Sequence, residues 1–526
     1  MASAPASTSP QEELLPHPVK EQLPGVSYML TSPPPWLMAI VLGFQHYLVM
    51  LGTTVIIPTA LVPQMGGGNH EKARVIQTLL FVAGINTLLQ TLWGTRLPTV
   101  IGGSYAFVAP TISVIVAGRY NGITDPHEKF VHIMRGTQGA LIASSALQIV
   151  LGFSGLWRII VRQLSPLSAA PLVALVGFGL YEHGFASAAK CIWIGLPEIV
   201  LLVALSQVQA INYYIRRIPV ITSVAVVWLY AFFLTIGGAY KNAGPETQSH
   251  CRTDRSGLVG AAPWISIPYP FQWGVPTFHA REAFAMTAAS FVALVESTGA
   301  FIASARFAGA TPCPPSVMSR GVGWQGIGIL LGGLLGTANG SSASVENAGL
   351  LVLTRIGSRR VVQISAGFMI LFSIFGKFGA FFASIPGPIF AAIYCLLFAY
   401  VGTGGITCLQ FCNLNSFRTK FILGFSMFMG LSVPKYLKDY NLAGHGSLNP
   451  WVTDMIEAVF SSEAFVGGVV AYFLDNTLNR NDRTIRKDRG QHFWDRFKSY
   501  KTDPRSEEFY TPATSIRCLQ ERFPLY

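Results

Sequence analysis

The chain has 526 residues, 51% of them hydrophobic and 12% charged, with 52 Gly and 35 Phe. A soluble protein carries about twice that share of charge, and uncharged runs of about 20 residues, long enough to cross a hydrocarbon core, recur between Trp36 and Asp475. The net charge of +12 does not point to nucleic acid, because eleven Lys and Arg gather after Asp475 rather than forming a basic face.

Residues 1–35 are rich in Pro and Ser, carry Glu12, Glu13 and Glu21, and lack the apolar stretch of a cleavable signal. They predict a disordered cytosolic lead-in. Fourteen spans are then expected, at 36–61, 75–95, 99–118, 136–158, 164–182, 191–210, 219–239, 282–304, 322–338, 340–354, 361–384, 386–405, 416–433 and 451–475. The fold class is therefore an all-α polytopic membrane protein, and an even count puts both termini on one side. Basic residues divide twelve to twelve between the loops of the two sides, so the tail at 476–526 sets the orientation. Its positive charge places the termini in the cytoplasm and the loop 240–281 outside. That tail reads either as solvated or as contacting anionic lipid. The ending "ERFPLY" carries no retention signal, which leaves the plasma membrane as the expected address.

The third and tenth spans are short and interrupted. One reads "TVIGGSYAFVAPT" and the other "GTANGSSASVENAG", each a Gly/Ser-rich stretch followed by an apolar half-helix. They hold the same place in the first and second sets of seven spans. Broken segments at matching places point to a midplane binding site in an inverted-repeat transporter. An odd number of spans per half reverses the second half, as such a repeat requires. Irregular backbone at that depth must be buried in protein or line a polar cavity. Half-helices beginning near Ser104 and Ser344 would aim free N–H groups and a positive dipole end into it. Two merely kinked helices are the alternative.

Ionisable residues at bilayer depth are functional candidates. Glu296 sits mid-span in "AASFVALVESTGAF", and Glu346 opens the tenth span. Either alone could cap a helix; together, beside interrupted helices, they favour a site. Carboxylates accept strongly from ring N–H groups, while the N–H groups of Ser104–Ala106 and Val345–Asn347 can donate to ring carbonyls. A neutral heterocycle with N–H and C=O groups fits, and an anion would face two carboxylates. Burial disfavours the charged form of a carboxyl, so Glu296 is the expected carrier of a coupling proton. His46 in span one is expected either to meet Glu296 or to be satisfied by a backbone carbonyl. Lys377 reads as a snorkelling or structural cation, and Glu182 and Glu198 as residues near the membrane interfaces. Asp454, Glu457 and Glu463 are expected to share one face of the last span. The seven cysteines show no metal spacing. Cys395, Cys408 and Cys412 suit apolar packing, and Cys191 and Cys251 could pair if both face outside.

Three stretches, "QHYLVMLG" in span one, "GGSYAFVAP" in span three and "ENAGLLVLTRIGSR" in span ten, resemble the nucleobase–ascorbate transporters, with wording nearest the plant branch. Glu346, Asn347, Gly349, Thr354 and Arg355 match the family signature position by position, and the likeness extends over all the spans. The resemblance implies a seven-plus-seven inverted repeat. A core domain (36–158 and 282–384) would move against a gate domain (159–239 and 385–475), usually in a homodimer. It implies that Glu296 and Glu346 hold the nucleobase, with the backbone around Tyr105 and Val345. His46 and Asn347 would be supporting residues, and Thr354 and Arg355 influences on transport and specificity. Animal ascorbate carriers have Pro where this chain has Glu346, which favours nucleobase. One departure is Gly332, where many relatives carry an Asp in span nine; its absence leaves coupling to Glu296 or absent.

The expected function is proton-coupled import of purines such as xanthine, uric acid, adenine or guanine, and of uracil, with no cofactor beyond the coupling H+ and no partner beyond the nucleobase, membrane lipid and a second copy. Ascorbate or anion transport on the same scaffold, and a nucleobase facilitator or receptor that cannot couple, are the competing readings. An enzyme is not indicated, because no nucleophile–base pair or metal cluster emerges on the spans.

Overall fold

The computed structural model describes residues 23–254, 257–440, 450–478, 488–501 and 503–513. The chain is helical almost throughout. In order the helices are α1 (Trp36–Met65), α2 (Asn69–Leu92), α3 (Val108–Ile115), α4 (Pro126–Phe153), α5 (Leu156–Val161), α6 (Pro166–Phe178), α7 (Phe185–Ala188), α8 (Ile192–Gln207), α9 (Pro219–Ile236), α10 (Pro245–Cys251) and α11 (Leu258–Ala261). There follow α12 (Ala280–Phe307), α13 (Pro315–Leu335), α14 (Val345–Thr354), α15 (Arg359–Ile374), α16 (Gly376–Ala383), α17 (Gly387–Thr407), α18 (Phe417–Tyr440), α19 (Pro450–Phe460), α20 (Glu463–Thr477), α21 (Gln491–Trp494) and α22 (Pro504–Tyr510). Two three-residue strands, β1 (Ile101–Gly103) and β2 (Ser341–Ala343), precede α3 and α14.

Seven helical segments among the described residues are long and apolar enough to cross a membrane, one of them the run Pro166–Gln207. Two bent pairs would each add a crossing: α15 with α16, at 108°, and α19 with α20, at 81°. The chain is thus a polytopic α-helical membrane protein. The expected eleventh and fourteenth spans are not straight rods. The expected fourth span (136–158) begins ten residues earlier, because Asp125 caps the helix at Glu128 N and Pro126 occupies its first turn. It ends at Phe153, with Gly155 in the left-handed region at φ 77°. The ninth starts at Pro315, which places Arg320 inside a helix, buried, with Nε donating to the Gly94 carbonyl at 2.8 Å.

Packing sorts the helices into two groups. α4 lies against α12 and α13, α2 against α13 and α15, and α1 against α15. Elsewhere α6 packs on α17 and α20, α17 on α8, and α18 on α20. The groups meet along α14–α17 and α12–α19.

Both chain ends depart from expectation. Residues 1–22 lie outside the described part, but 23–35 are not a loose lead-in. Tyr28 forms a parallel bridge with Ile356, Gly357 N donates to Tyr28 O at 2.8 Å, and Leu30 is buried. Nor is the described part of the tail merely solvated. Phe493, Phe497, Phe509 and Tyr510 are buried, and Arg320 and Arg359 donate to the carbonyls of Tyr510 and Phe509 at 2.8 and 2.7 Å. Residues 479–487 and 514–526 of that tail lie outside the described part.

Cys191 and Cys251 are joined by a disulfide, tying the start of α8 to the loop 240–281. If that loop is extracellular, an impermeant reductant followed by an impermeant maleimide should label both cysteines on intact cells. Labelling that requires permeabilisation would invert the orientation.

Candidate functional site

β1 and β2 pair antiparallel, Ile101 opposite Ala343 and Gly103 opposite Ser341. The ladder extends one bond further at each end, from Ser104 N to Gly340 O (3.1 Å) and from Ser344 N to Val100 O (2.9 Å). Antiparallel strands send their chains out in opposite directions. Each chain then starts a short apolar helix, one through the tight turn Tyr105–Phe107 into α3, the other at once as α14. The first N–H groups of such helices have no intrahelical acceptor. Ser104, Tyr105, Ala106, Val345 and Glu346 thus all stand at the two helix openings. Gly102 is confined by packing, since a Cβ there would run into the Met50 side chain.

On the second opening the polar contacts form a closed set. The Ser344 side chain accepts from Asn347 N at 3.2 Å, an N-cap that fixes the helix start. Asn347 Nδ2 donates to the same Ser344 oxygen (2.9 Å), which leaves Asn347 Oδ1 to accept from His46 Nδ1, also at 2.9 Å. Glu346 Oε1 accepts from Thr53 Oγ1 at 2.8 Å. His46, Met50 and Thr53 follow one face of α1 at helical spacing, so α1 presents a polar stripe to α14.

Glu296 approaches from α12. Its neighbour Ser297 accepts from Ala343 N at 3.1 Å, which ties α12 to β2. Glu296 Oε1 accepts from Ser462 Oγ at 2.6 Å. Ser462 stands at the break between α19 and α20 and caps α20 through Phe465 N at 3.2 Å. Among the described hydrogen bonds His46 pairs with Asn347 and Glu296 with Ser462. The expected His46–Glu296 partnership is therefore replaced by two others.

A third contact crosses between the helix groups. The His183 ring, from the connection after α6, lies 4.0 Å from the Tyr105 ring, centroid to centroid. Ser104 Oγ, Tyr105 OH and His183 Nδ1 are buried without a hydrogen-bond partner among the described residues. Desolvated polar atoms of this kind are costly unless something else pairs with them. Beside them Lys438 bridges Glu182 (3.1 Å) and Glu463 (3.2 Å).

Other expected residues lie elsewhere. Gly349 is a packing glycine: a Cβ there would collide with the Leu397 carbonyl of α17. Thr354 and Arg355 sit at the far end of α14, about 14–15 Å from Val345 along the axis; Thr354 Oγ1 bonds Leu350 O and Arg355 ends the helix at φ 56°. They do not border the Glu346 end. A Cβ at Gly332 would face Thr337 Oγ1 and the Asn339 carbonyl. Lys377 Nζ donates to Val259 O at 2.6 Å, a structural role. Glu198, near the start of α8, is fully buried in the protein and accepts from Ser223 at 2.6 Å. Asp454 and Glu457 do not share a helix with Glu463, because the chain bends between them; Asp454 pairs with Arg281 at 2.8 Å. Thr53, His183 and Ser462 went unnoticed in the sequence, although Thr53 lies seven positions from His46 on the same helical face.

Residues 37–438 match a family model described as "Permease family". Nucleobase-ascorbate transporter 7 of Arabidopsis thaliana is 67% identical over 95% of this chain and 94% of its own length. Nucleobase-ascorbate transporter 6 of the same plant is 65% identical over 97% of both chains. The maize nucleobase-ascorbate transporter LPE1 is 53% identical over 95% of this chain and 96% of its own. The solved murine Solute Carrier 26 family member A9 anion transporter overlays with a TM-score of 0.44 at 11% identity over 88% of this chain and 69% of that one, too distant a likeness to build on.

Gly349→Val should destabilise the α14–α17 contact by about 1–3 kcal/mol, as overpacking does. The unfolding temperature of the solubilised protein should fall accordingly; an unchanged value would show that the backbones can separate.

Proposed function

We propose that this chain, which belongs to the nucleobase–ascorbate transporter family and is a membrane transporter rather than an enzyme, imports nucleobases by proton symport. One observation carries the reading. Glu296 is held by the Ser462 hydroxyl and Glu346 by the hydroxyls of Thr53 and Ser344 with the N–H groups of its own helix opening, and neither has a cationic partner among the described residues. A hydroxyl is readily exchanged for the N–H of a heterocycle, whereas an Arg or Lys would hold the carboxylate and invite an anion instead.

The substrate class follows from matching donors to acceptors. Two carboxyls accept ring N–H groups, the helix openings at Tyr105 and Val345 donate to ring carbonyls, and the Tyr105 and His183 rings, tilted 46° to each other, offer aromatic surface. Purines such as xanthine, uric acid, guanine and adenine fit this set, and uracil presents a smaller version. A monoanion such as ascorbate would meet Glu346 unfavourably. The coupling proton is assigned to Glu296, the carboxyl that contacts the second helix group through Ser462, so that proton and substrate reach the same residue. With Gly332 in span nine, no further carboxyl there shares that task.

Movement is assigned to the two packing groups, as a core of spans 1–4 and 8–11 sliding against a gate of spans 5–7 and 12–14 in a seven-plus-seven inverted repeat and an elevator-type cycle. The heavier packing within each group than between them, where α14 meets α17 and α12 meets α19 and α6, supports this division. We assign the protein to the plasma membrane as a homodimer with cytoplasmic termini and no cofactor. The Cys191–Cys251 disulfide supports the orientation, since such bonds persist on the oxidising side.

In cells lacking their own carriers, labelled xanthine or guanine should accumulate more at low external pH and lose that accumulation with a protonophore. Uptake that is saturable but only equilibrative would keep the substrate reading and sink the coupling; competition and matching accumulation by ascorbate would sink the substrate reading. Glu296→Gln should abolish accumulation at unchanged surface level. His183→Ala should lower affinity by about tenfold, the worth of roughly 1.4 kcal/mol, with the loss differing among bases. A uniform kinetic profile in that variant would remove His183 from the site.

A further inference from the structure

The loop between α8 and α9 brings Arg216 and Arg217 to the far end of α14, where Arg355 closes the helix. Together with Ser206, Tyr213 and Thr354 these guanidinium groups line a cavity of about 110 Å³. No carboxylate lines it, and none of the three arginines takes part in an ion pair among the described residues. Arg217 is compensated internally, because it donates to the Thr354 carbonyl at the negative end of α14, to Ser27 Oγ, and to Tyr213 OH at 2.9 Å. Arg216 is half-buried, and its Nε is buried with no acceptor among the described residues. Arg355 adds a third positive charge, its carbonyl tethered by Ser27 N at 2.9 Å.

Three like charges on one small cavity repel unless a counter-charge sits among them, and a buried donor without an acceptor adds to that cost. Guanidinium groups match phosphate oxygens through paired N–H donors. The volume accommodates one phosphate group. The rim carries Tyr213, Tyr214 and Ile215, all exposed, the amphipathic residue types that sit at headgroup level.

We infer that this cavity binds a phosphate group, presented by an anionic lipid headgroup, which links the α8–α9 loop to the end of the substrate-bearing half-helix. The inference does not depend on which solute is carried. A bound phosphate would hold Arg216 against Arg355 and so stiffen the contact between the two packing groups at this end of the molecule.

The test uses the purified full-length protein in phosphatidylcholine vesicles, alone, with a minority of phosphatidic acid, or with inorganic phosphate added. The readout is the thermal unfolding midpoint followed by tryptophan fluorescence. Phosphatidic acid is expected to raise the midpoint of the parent chain by several degrees. Arg216→Gln, which removes a side chain with an unpaired donor, should fold normally and need about tenfold more phosphatidic acid for the same rise. Arg355→Gln, at an exposed position, should behave alike and guards against misfolding of the first variant. An equal rise with inorganic phosphate alone upholds the phosphate site but overturns its assignment to lipid. No rise with either additive, or the same rise in parent and both variants, overturns the site itself.

Discussion

Backbone hydrogen bonding at bilayer depth is the constraint on which this structure turns. A helix interrupted inside a membrane frees N–H and C=O groups that lipid cannot satisfy. Here two interruptions satisfy each other through the β1–β2 ladder, and side chains take part of what the ladder leaves on its outer edges. Ile101 N donates to Thr87 Oγ1 (3.0 Å), Ala343 N to Ser297 Oγ (3.1 Å), and the Ser341 carbonyl accepts from Gln325 Nε2 (3.3 Å). Asn86 adds a bond to the Ser341 hydroxyl at 3.1 Å. A single broken helix would lack the partner strand. The pairing, rather than either break alone, makes it possible to aim two helix openings into the protein interior, and the glycines and serines around it follow from how closely the neighbouring chains approach.

Much of this was legible because burial makes some residues conspicuous. A glutamate in an apolar run, or a Gly/Ser cluster where a span should continue, stands out against its surroundings, and Glu296, Glu346, Ser104 and Ser344 were found that way. The hydroxyl partners were not, since a Thr or Ser costs little in a span and dozens look alike. Thr53 and Ser462 matter only through what the fold brings opposite them. His183 lies in a connection, where polar residues are unremarkable. The bend after Phe460 was hidden because α19 and α20 are both apolar and run together as one hydropathic segment. Arg320 lies just outside the span expected at 322–338, yet it is buried because Gly94 and Tyr510 offer carbonyls to it. The aromatic anchors of the tail were masked by the basic residues between them.

The two helix groups are latched at both ends, and the latches differ in kind. On one side lie the ion pair Arg281–Asp454 and the Tyr105–His183 contact, while Lys438 pairs with Glu182 and Glu463 inside the second group. Partly exposed pairs of this sort are worth about 0–1 kcal/mol each, so they break readily. The Ser462–Glu296 bond belongs to the same side but is part of the site. On the proposed reading, a ligand N–H that takes the place of the Ser462 hydroxyl on Glu296 would occupy the site and release a gate contact in one event. Coupling between binding and movement then needs no separate relay.

The opposite end is built differently. The short turn between α14 and α15 is held by both chain termini at once: Ser27 N and Tyr28 O grip Arg355 and Gly357, while Arg359 donates to Arg96 O (2.6 Å) and Phe509 O (2.7 Å). Arg217 reaches the Thr354 carbonyl from the other helix group. Any displacement of α14 along its axis therefore drags the amino-terminal segment and α22 with it, and must slide past Arg217. Backbone-to-backbone bonds and guanidinium–carbonyl bonds in a buried setting are costlier to leave unmade than an exposed ion pair. The half-helix that carries Glu346 is thus restrained at its foot as well as at its opening, where the ladder and α1 hold it. On the proposed elevator reading, variation in the terminal segments would accordingly alter the restraint on that helix without touching Glu296 or Glu346.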